Sequence, residues 1–128
     1  MNIHESAEDY LEAILILQER QGLVRSIDIV REKNYTKPSV SIAMKRLREN
    51  GYIEMNAEGY ITLLPQGMEI AQRIYTRHRL ISQFLEHLGV SPENAVADAC
   101  KIEHDISVES FDKIVAYAKE HRLIDEAD

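Results

Sequence analysis

Residues 36–63 hold the pattern that most restricts how this chain can fold. Thr36-Lys37-Pro38 opens a helix. The threonine can cap it, and proline is tolerated in a first turn, where its missing N–H costs nothing. Val40, Ala43, Met44 and Leu47 give this helix one apolar stripe. Asn50-Gly51 ends it, glycine being suited to the left-handed position that follows a helix. Two β-prone runs come next, Tyr52-Ile53-Glu54-Met55 and Tyr60-Ile61-Thr62-Leu63, around the polar turn Asn56-Ala57-Glu58-Gly59. That spacing predicts a hairpin. A short helix over Ser26–Lys33 precedes the capped one, so the order is helix, turn, helix, hairpin. This is the order of a winged helix-turn-helix.

Around this centre the chain reads as mainly α. A first helix runs from about Glu5 to Arg20, with Leu11, Ile14, Leu15 and Leu17 on its apolar side. A long helix runs from Pro65 to about Leu88, with Ala71, Ile74, Ile81 and Leu85 on one face, and Gly89 stops it. Ser91-Pro92 opens another that ends near Asp105. Ser107 caps the last, whose buried side is Phe111, Ile114, Val115 and Ala118. The expected division is a winged helix-turn-helix domain over residues 1–64 and an α-helical dimerisation domain over residues 65–128, with a continuous helix across the boundary. Ala95, Ala99 and Ile102 offer a small-residue surface for a dimer or for packing within one chain.

The formal net charge is −7, which by itself argues against nucleic acid. The distribution reverses that argument. Between residues 20 and 48 stand Arg20, Arg25, Arg31, Lys33, Lys37, Lys45, Arg46 and Arg48 against Asp28 and Glu32 alone, locally about +6. In a helix-turn-helix the second helix enters the major groove. Arg25, Thr36, Lys37, Pro38, Ser39, Ser41, Ile42, Lys45 and Arg46 are therefore the expected DNA-binding residues. Small hydroxyls allow close approach, and the cations reach phosphates. No Arg, Asn or Gln stands near the helix start to make bidentate base contacts, so direct readout is modest and DNA shape contributes.

The acids lie elsewhere. Asp9 and Glu12 share a face of the first helix beside Glu5 and Glu8, and no Lys or Arg precedes Arg20. Ser6 and Asp9 also match a capping box, which would make these acids ordinary helix-start chemistry. Cys100, Glu103 and His104 stand at i, i+3, i+4 on one helical stripe, and all three types ligate first-row divalent metals. His78 interrupts the apolar stripe of the long helix, where a histidine is usually a hydrogen-bonded core residue. His4, His87 and His121 read as surface or packing residues. From the residues alone, a metal site built from three helices and a set of bland structural roles are both open.

The single cysteine permits no internal disulfide, which fits a cytoplasmic protein. The N-terminus does not read as a secretory signal, and no apolar run approaches the roughly 20 residues of a membrane span. A metalloenzyme is not expected: neither H-E-x-x-H nor paired C-x-x-C is present, so no catalytic residues are assigned.

The segments ESAEDYLEAILIL, KPSVSIAMKRLRENGYI, RHRLISQFLEHLGV and ACKIEHDIS, in that order, resemble the diphtheria-toxin-repressor family of metal-dependent regulators. The manganese-sensing branch is the most similar. The likeness covers about residues 5–120. It implies a homodimeric, metal-dependent DNA-binding repressor of manganese or iron homeostasis genes, holding one or two Mn²⁺ or Fe²⁺ ions per protomer and binding a double-stranded operator. Its metal ligands would be Asp9, Glu12, His78, Cys100, Glu103 and His104. Cys100 stands where the manganese branch has glutamate and the iron branch cysteine, whereas Asp9 stands where the iron branch has methionine. The iron branch's ancillary site needs a glutamate where this chain has Ser82, so that site is not expected. Nor is the SH3-like domain that ends longer iron sensors. The implied switch narrows the separation of the two recognition helices towards the spacing of half-sites on DNA. The alternative is a winged-helix regulator that senses an organic ligand or a protein partner without metal.

Overall fold

The computed structural model describes residues 5–124. His4 lies outside them. Six helices and a two-stranded sheet follow in the order α1 (Glu5–Gln21), α2 (Ser26–Lys33), α3 (Lys37–Glu49), β1 (Ile53–Met55), β2 (Ile61–Leu63), α4 (Pro65–His87), α5 (Pro92–Asp105) and α6 (Val108–Glu120). This is the mainly α, winged helix-turn-helix architecture expected from the sequence. The chain forms two compact units, residues 1–73 and 74–128, and the division falls inside α4.

In the first unit, α1 packs against α2, α3 and β2. Leu11, Ile14, Leu15 and Leu17 of α1 are all buried, as are Ile29 of α2 and Val40, Met44 and Leu47 of α3. Ala43 is only half-buried, at the edge of its stripe. The short turn between α2 and α3 is made by Asn34 in left-handed backbone (φ 56°), which asparagine tolerates better than most residues. Thr36 caps α3 as expected, its Oγ1 accepting from the Ser39 amide at 3.2 Å. Gly51 (φ 79°) then turns the chain into the sheet. Helix α1 already includes Glu5, so Ser6 lies within the helix and cannot act as its cap.

The sheet pairs antiparallel, with Ile53 opposite Leu63 and Met55 opposite Ile61. Its turn is held by Asn56, whose Oδ1 accepts from the amides of Glu58 and Tyr60. It is fastened at both ends. The Ile61 amide donates to the Val24 carbonyl at 2.7 Å, and the Leu64 amide to the Tyr52 carbonyl at 3.0 Å. Gly67, in the first turn of α4, presses its backbone onto that same corner. A Cβ there would overlap the Tyr52 carbonyl oxygen and crowd Leu11.

In the second unit, Leu80, Ala118 and Ile124 form a buried cluster with Phe84, Phe111, Val115 and Leu123 packed against it. Helices α5 and α6 are capped by Ser91 and Ser107, whose side chains accept from the amides three residues on. Ala95 and Ala99 have no exposed surface within the single chain, and Ile102 is half-buried. The small-residue stripe read as a dimer surface is therefore used internally. Alanines at i, i+4 allow close packing against any partner, and here the chain supplies its own. The large apolar residues left exposed among the described residues of this unit are Leu88, Val96, Val108 and Tyr117.

The fit at Gly67 gives a direct test. Gly67→Ala should destabilise the protein by about 2–4 kcal/mol, because the obstacle is backbone and cannot rotate away. Chemical denaturation checks this. A loss below about 0.5 kcal/mol would mean that α4 does not press on the hairpin base.

Candidate metal centre and DNA-reading face

The donor cluster of the second unit is built from α4 and α5. Glu103 is fully buried, although carboxylates rarely are unless paired. His78, half-buried on α4, places Nδ1 3.0 Å from Glu103 Oε2. One proton lies between Nδ1 and the carboxylate in this contact. His104 sets Nε2 3.4 Å from the other oxygen, Oε1. Donor atoms of Cys100, Glu103 and His104 lie within 4.8 Å of one another. The spacing read on the sequence thus brings thiol, carboxylate and imidazole together on one helix, and a second imidazole reaches the same carboxylate from α4. This donor set fits a first-row dication: the ligand types suit it, and the buried carboxylate needs positive charge.

Arg77 holds the arrangement, and sequence reasoning missed it. It is 9% exposed. Its Nη1 donates to the carbonyls of Glu103 at 3.0 Å and Ile106 at 3.4 Å. These carbonyls end α5, where helical oxygens lack partners and a cation is favoured. The guanidinium also lies 5.0 Å over the Phe111 ring of α6. One side chain therefore joins α4, α5 and α6 beside His78. The only hint in the sequence is that Arg77 immediately precedes the histidine.

Asp9 and Glu12 lie on α1 in the first unit, Asp9 half-buried and Glu12 3% exposed. The acidic face of α1 is less isolated than the sequence implied. Arg73 of α4 places Nη2 3.0 Å from Glu8 Oε2. His87 is exposed, and His121 sits edge-on to Tyr117 with ring centroids 4.1 Å apart. Ser82, at the position considered for an ancillary ligand, is buried.

The helix-turn-helix displays every residue expected to meet DNA. Arg25, Thr36, Lys37, Pro38, Ser39, Ser41, Ile42, Lys45 and Arg46 are all exposed. Thr36 and Ser39 are partly engaged with each other, their hydroxyls 2.8 Å apart. One cation of the basic segment is committed elsewhere. Arg20 binds Glu32 through both guanidinium nitrogens, at 2.8 and 3.0 Å. The hydrogen bond from Arg20 holds the Glu32 carboxyl below its usual range. Among the described residues, Lys37, Lys45 and Arg46 have no such carboxylate partner.

Two family models match the chain almost end to end. Residues 2–61 match the N-terminal DNA binding domain of the iron dependent repressors, and residues 64–124 match their metal binding and dimerisation domain. The chain belongs to the diphtheria-toxin-repressor family of iron-dependent repressors. It is 36% identical over 117 residues to the transcriptional regulator MntR of Salmonella typhimurium, covering 91% of this chain and 74% of that protein. It is 38% identical over 109 residues to the HTH-type transcriptional regulator MntR of Geobacillus kaustophilus, covering 85% and 77%. Among solved structures, a manganese-dependent transcriptional repressor in complex with manganese superposes with a TM-score of 0.79 at 28% identity, over 87% of this chain and 51% of that one. IdeR of T. acidophilum superposes with a TM-score of 0.78 at 27% identity, over 91% and 55%. This chain thus spans about half the length of those solved chains.

The family and its manganese branch are those read from the sequence. The chain carries the two domains of a metal-dependent DNA-binding transcriptional regulator, and its curated relatives are regulators, not enzymes. No described helix is long and apolar enough to cross a membrane.

Arg77 yields a second test. Arg77→Ala removes hydrogen bonds from a charged donor to the end of α5 and should cost about 1.5–3 kcal/mol of stability. Urea denaturation in metal-free buffer measures it. A neutral result would show that the α5 carbonyls are satisfied without Arg77.

Proposed function

We propose that this protein is a cytoplasmic, homodimeric repressor that binds operator DNA when it holds Mn²⁺ or Fe²⁺, and so controls manganese or iron homeostasis genes. The observation that carries the reading is Glu103: a fully buried carboxylate facing two imidazoles and a thiol. A carboxylate so placed is expensive to bury unless a cation uses it. The manganese regulators among the relatives support the metal class.

In this reading Asp9 and Glu12 of α1 and His78, Cys100, Glu103 and His104 of α4 and α5 are the ligands, for one or two ions per protomer. A bound dication supplies the positive charge that these carboxylates lack. The protein's own residues do the rest. Arg77 fixes the turn of α5 that carries Glu103 and His104. Because the donors come from α1 on one hand and α4 and α5 on the other, filling the site couples residues 1–64, the reading domain, to residues 65–128, the pairing domain. In the dimer this sets the separation of the two α3 helices against half-sites on DNA. Lys37, Lys45 and Arg46 contact phosphates, while Ser39, Ser41 and Ile42 approach the bases, with Arg25, Thr36 and Pro38 at the margin. Cys100 tilts the site towards Fe²⁺, whereas Asp9, Glu12 and Glu103 suit Mn²⁺.

The test compares wild type with Glu103→Leu, whose similar volume keeps α5 packed. In metal-free buffer the variant should be as stable as wild type, or up to about 2 kcal/mol more so, since a buried charge is removed. Under anaerobic conditions Mn²⁺ or Fe²⁺ should stabilise wild type by about 2–3 kcal/mol at an ion concentration roughly a hundred times Kd. The same ion should raise wild-type DNA affinity about tenfold or more. Glu103→Leu should show neither response. A variant that stays fully metal-responsive removes Glu103 from the switch. If no ion changes either property of wild type, the regulator answers to something else.

A further inference from the structure

A wing normally adds phosphate contacts to those of the recognition helix, and such contacts come mostly from Lys and Arg. This wing has none. Residues 52–63 contain Glu54 and Glu58 and no Lys, Arg or His, and both acids are exposed. The structure nonetheless puts a cation beside its turn. The Arg25 guanidinium lies 4.3 Å over the centre of the Tyr60 ring. Tyr60 is half-buried and fixed on both sides. Its amide donates to Asn56 Oδ1, and the next amide, Ile61, donates to Val24, the neighbour of Arg25. The backbone of Arg25 is pinned as well, its amide donating to Asp28 Oδ2 at 2.8 Å.

The same position is the N-cap of α2. Helix N-termini attract anions, so charge and dipole act at one place. Among the described residues no carboxylate holds the Arg25 guanidinium, unlike that of Arg20. We propose that the wing takes its phosphate-binding cation from α2, with Tyr60 as a positioning residue that presents Arg25 to the DNA backbone across its ring face. This rests on the DNA-binding reading above. It goes beyond that reading by assigning a role to Tyr60 and by removing the wing's own side chains from phosphate binding.

The consequence is a salt-dependent contact that a second residue controls. The experiment measures binding to a fluorescein-labelled mixed-sequence duplex about three helical turns long across a range of salt concentrations, with Mn²⁺ present. Arg25→Ala should weaken binding about tenfold and reduce the slope of log K against log[salt] by about 1.8, the value for two phosphates, one from each protomer of the dimer. Tyr60→Leu should weaken binding about two- to fivefold while Arg25 is present. It should have no further effect in the Arg25→Ala background. Tyr60→Phe, which keeps the ring, should bind as wild type. Thermal melting of each variant separates this role from loss of fold.

Lys45→Ala and Arg46→Ala serve as controls. If they lower the slope while Arg25→Ala leaves it unchanged, the DNA reading stands and this proposal fails. If no variant changes binding, the DNA reading itself fails. Equal effects of Tyr60→Leu with and without Arg25 would also overturn the role given to Tyr60.

Discussion

Arg77 donates to the carbonyls that close α5, and much of the second unit follows from that bond. The end of a helix leaves oxygens without partners, and water cannot reach these freely. By meeting them from α4, a buried guanidinium fixes the last turn of α5 in rotation as well as position. Glu103 then faces His78, the residue next to Arg77, and His104 follows on the same turn. Phe111 completes the fixation from α6. The donor cluster is thus set by a side chain that contributes no donor to it. A partner of this kind holds neighbouring side chains in one orientation.

The first unit solves a different problem, which is to present positive charge from an acidic protein. Its core is ordinary: apolar residues from three helices and two strands, closed by the corner of Tyr52 and Gly67. The charge is then sorted. Glu32 takes up Arg20, and Glu8 takes up Arg73. The cations of α3 and the start of α2 are left for a polyanion. Net charge therefore says little about such a chain, whereas the list of cations without carboxylate neighbours says a good deal.

The sequence was most legible where one residue determines local geometry. Thr36, Pro38 and Gly51 delimit α3, and Ser91 and Ser107 start α5 and α6, because capping chemistry is local. The cluster on α5 was legible for a similar reason: helical spacing places Cys100, Glu103 and His104 together whatever the rest of the fold does. Contacts between distant residues were not. Arg77 meets carbonyls 26 and 29 residues away, and backbone acceptors carry no signature in a sequence. Arg73 and Glu8 are separated by 65 residues. Ala95 and Ala99 left two roles open because small residues promote close packing without naming the partner. Only the family resemblance raised Asp9 and Glu12 from helix-start acids to expected ligands, since spacing on α1 alone left both roles open.

The hairpin has a tightly tied base and an open tip. At the base Tyr52, Leu64 and Gly67 are locked by a backbone bond and by the absence of space. At the tip Ala57 and Glu58 are exposed, and the Asn56 side chain meets the amides that the turn leaves over. Extra residues at the base would run into the backbone of α4 at Gly67, whereas extra residues between Ala57 and Glu58 would enter solvent. Descendants of this sequence can therefore lengthen the hairpin only outward from the Asn56–Gly59 turn, and any new chemistry it gains will arrive there.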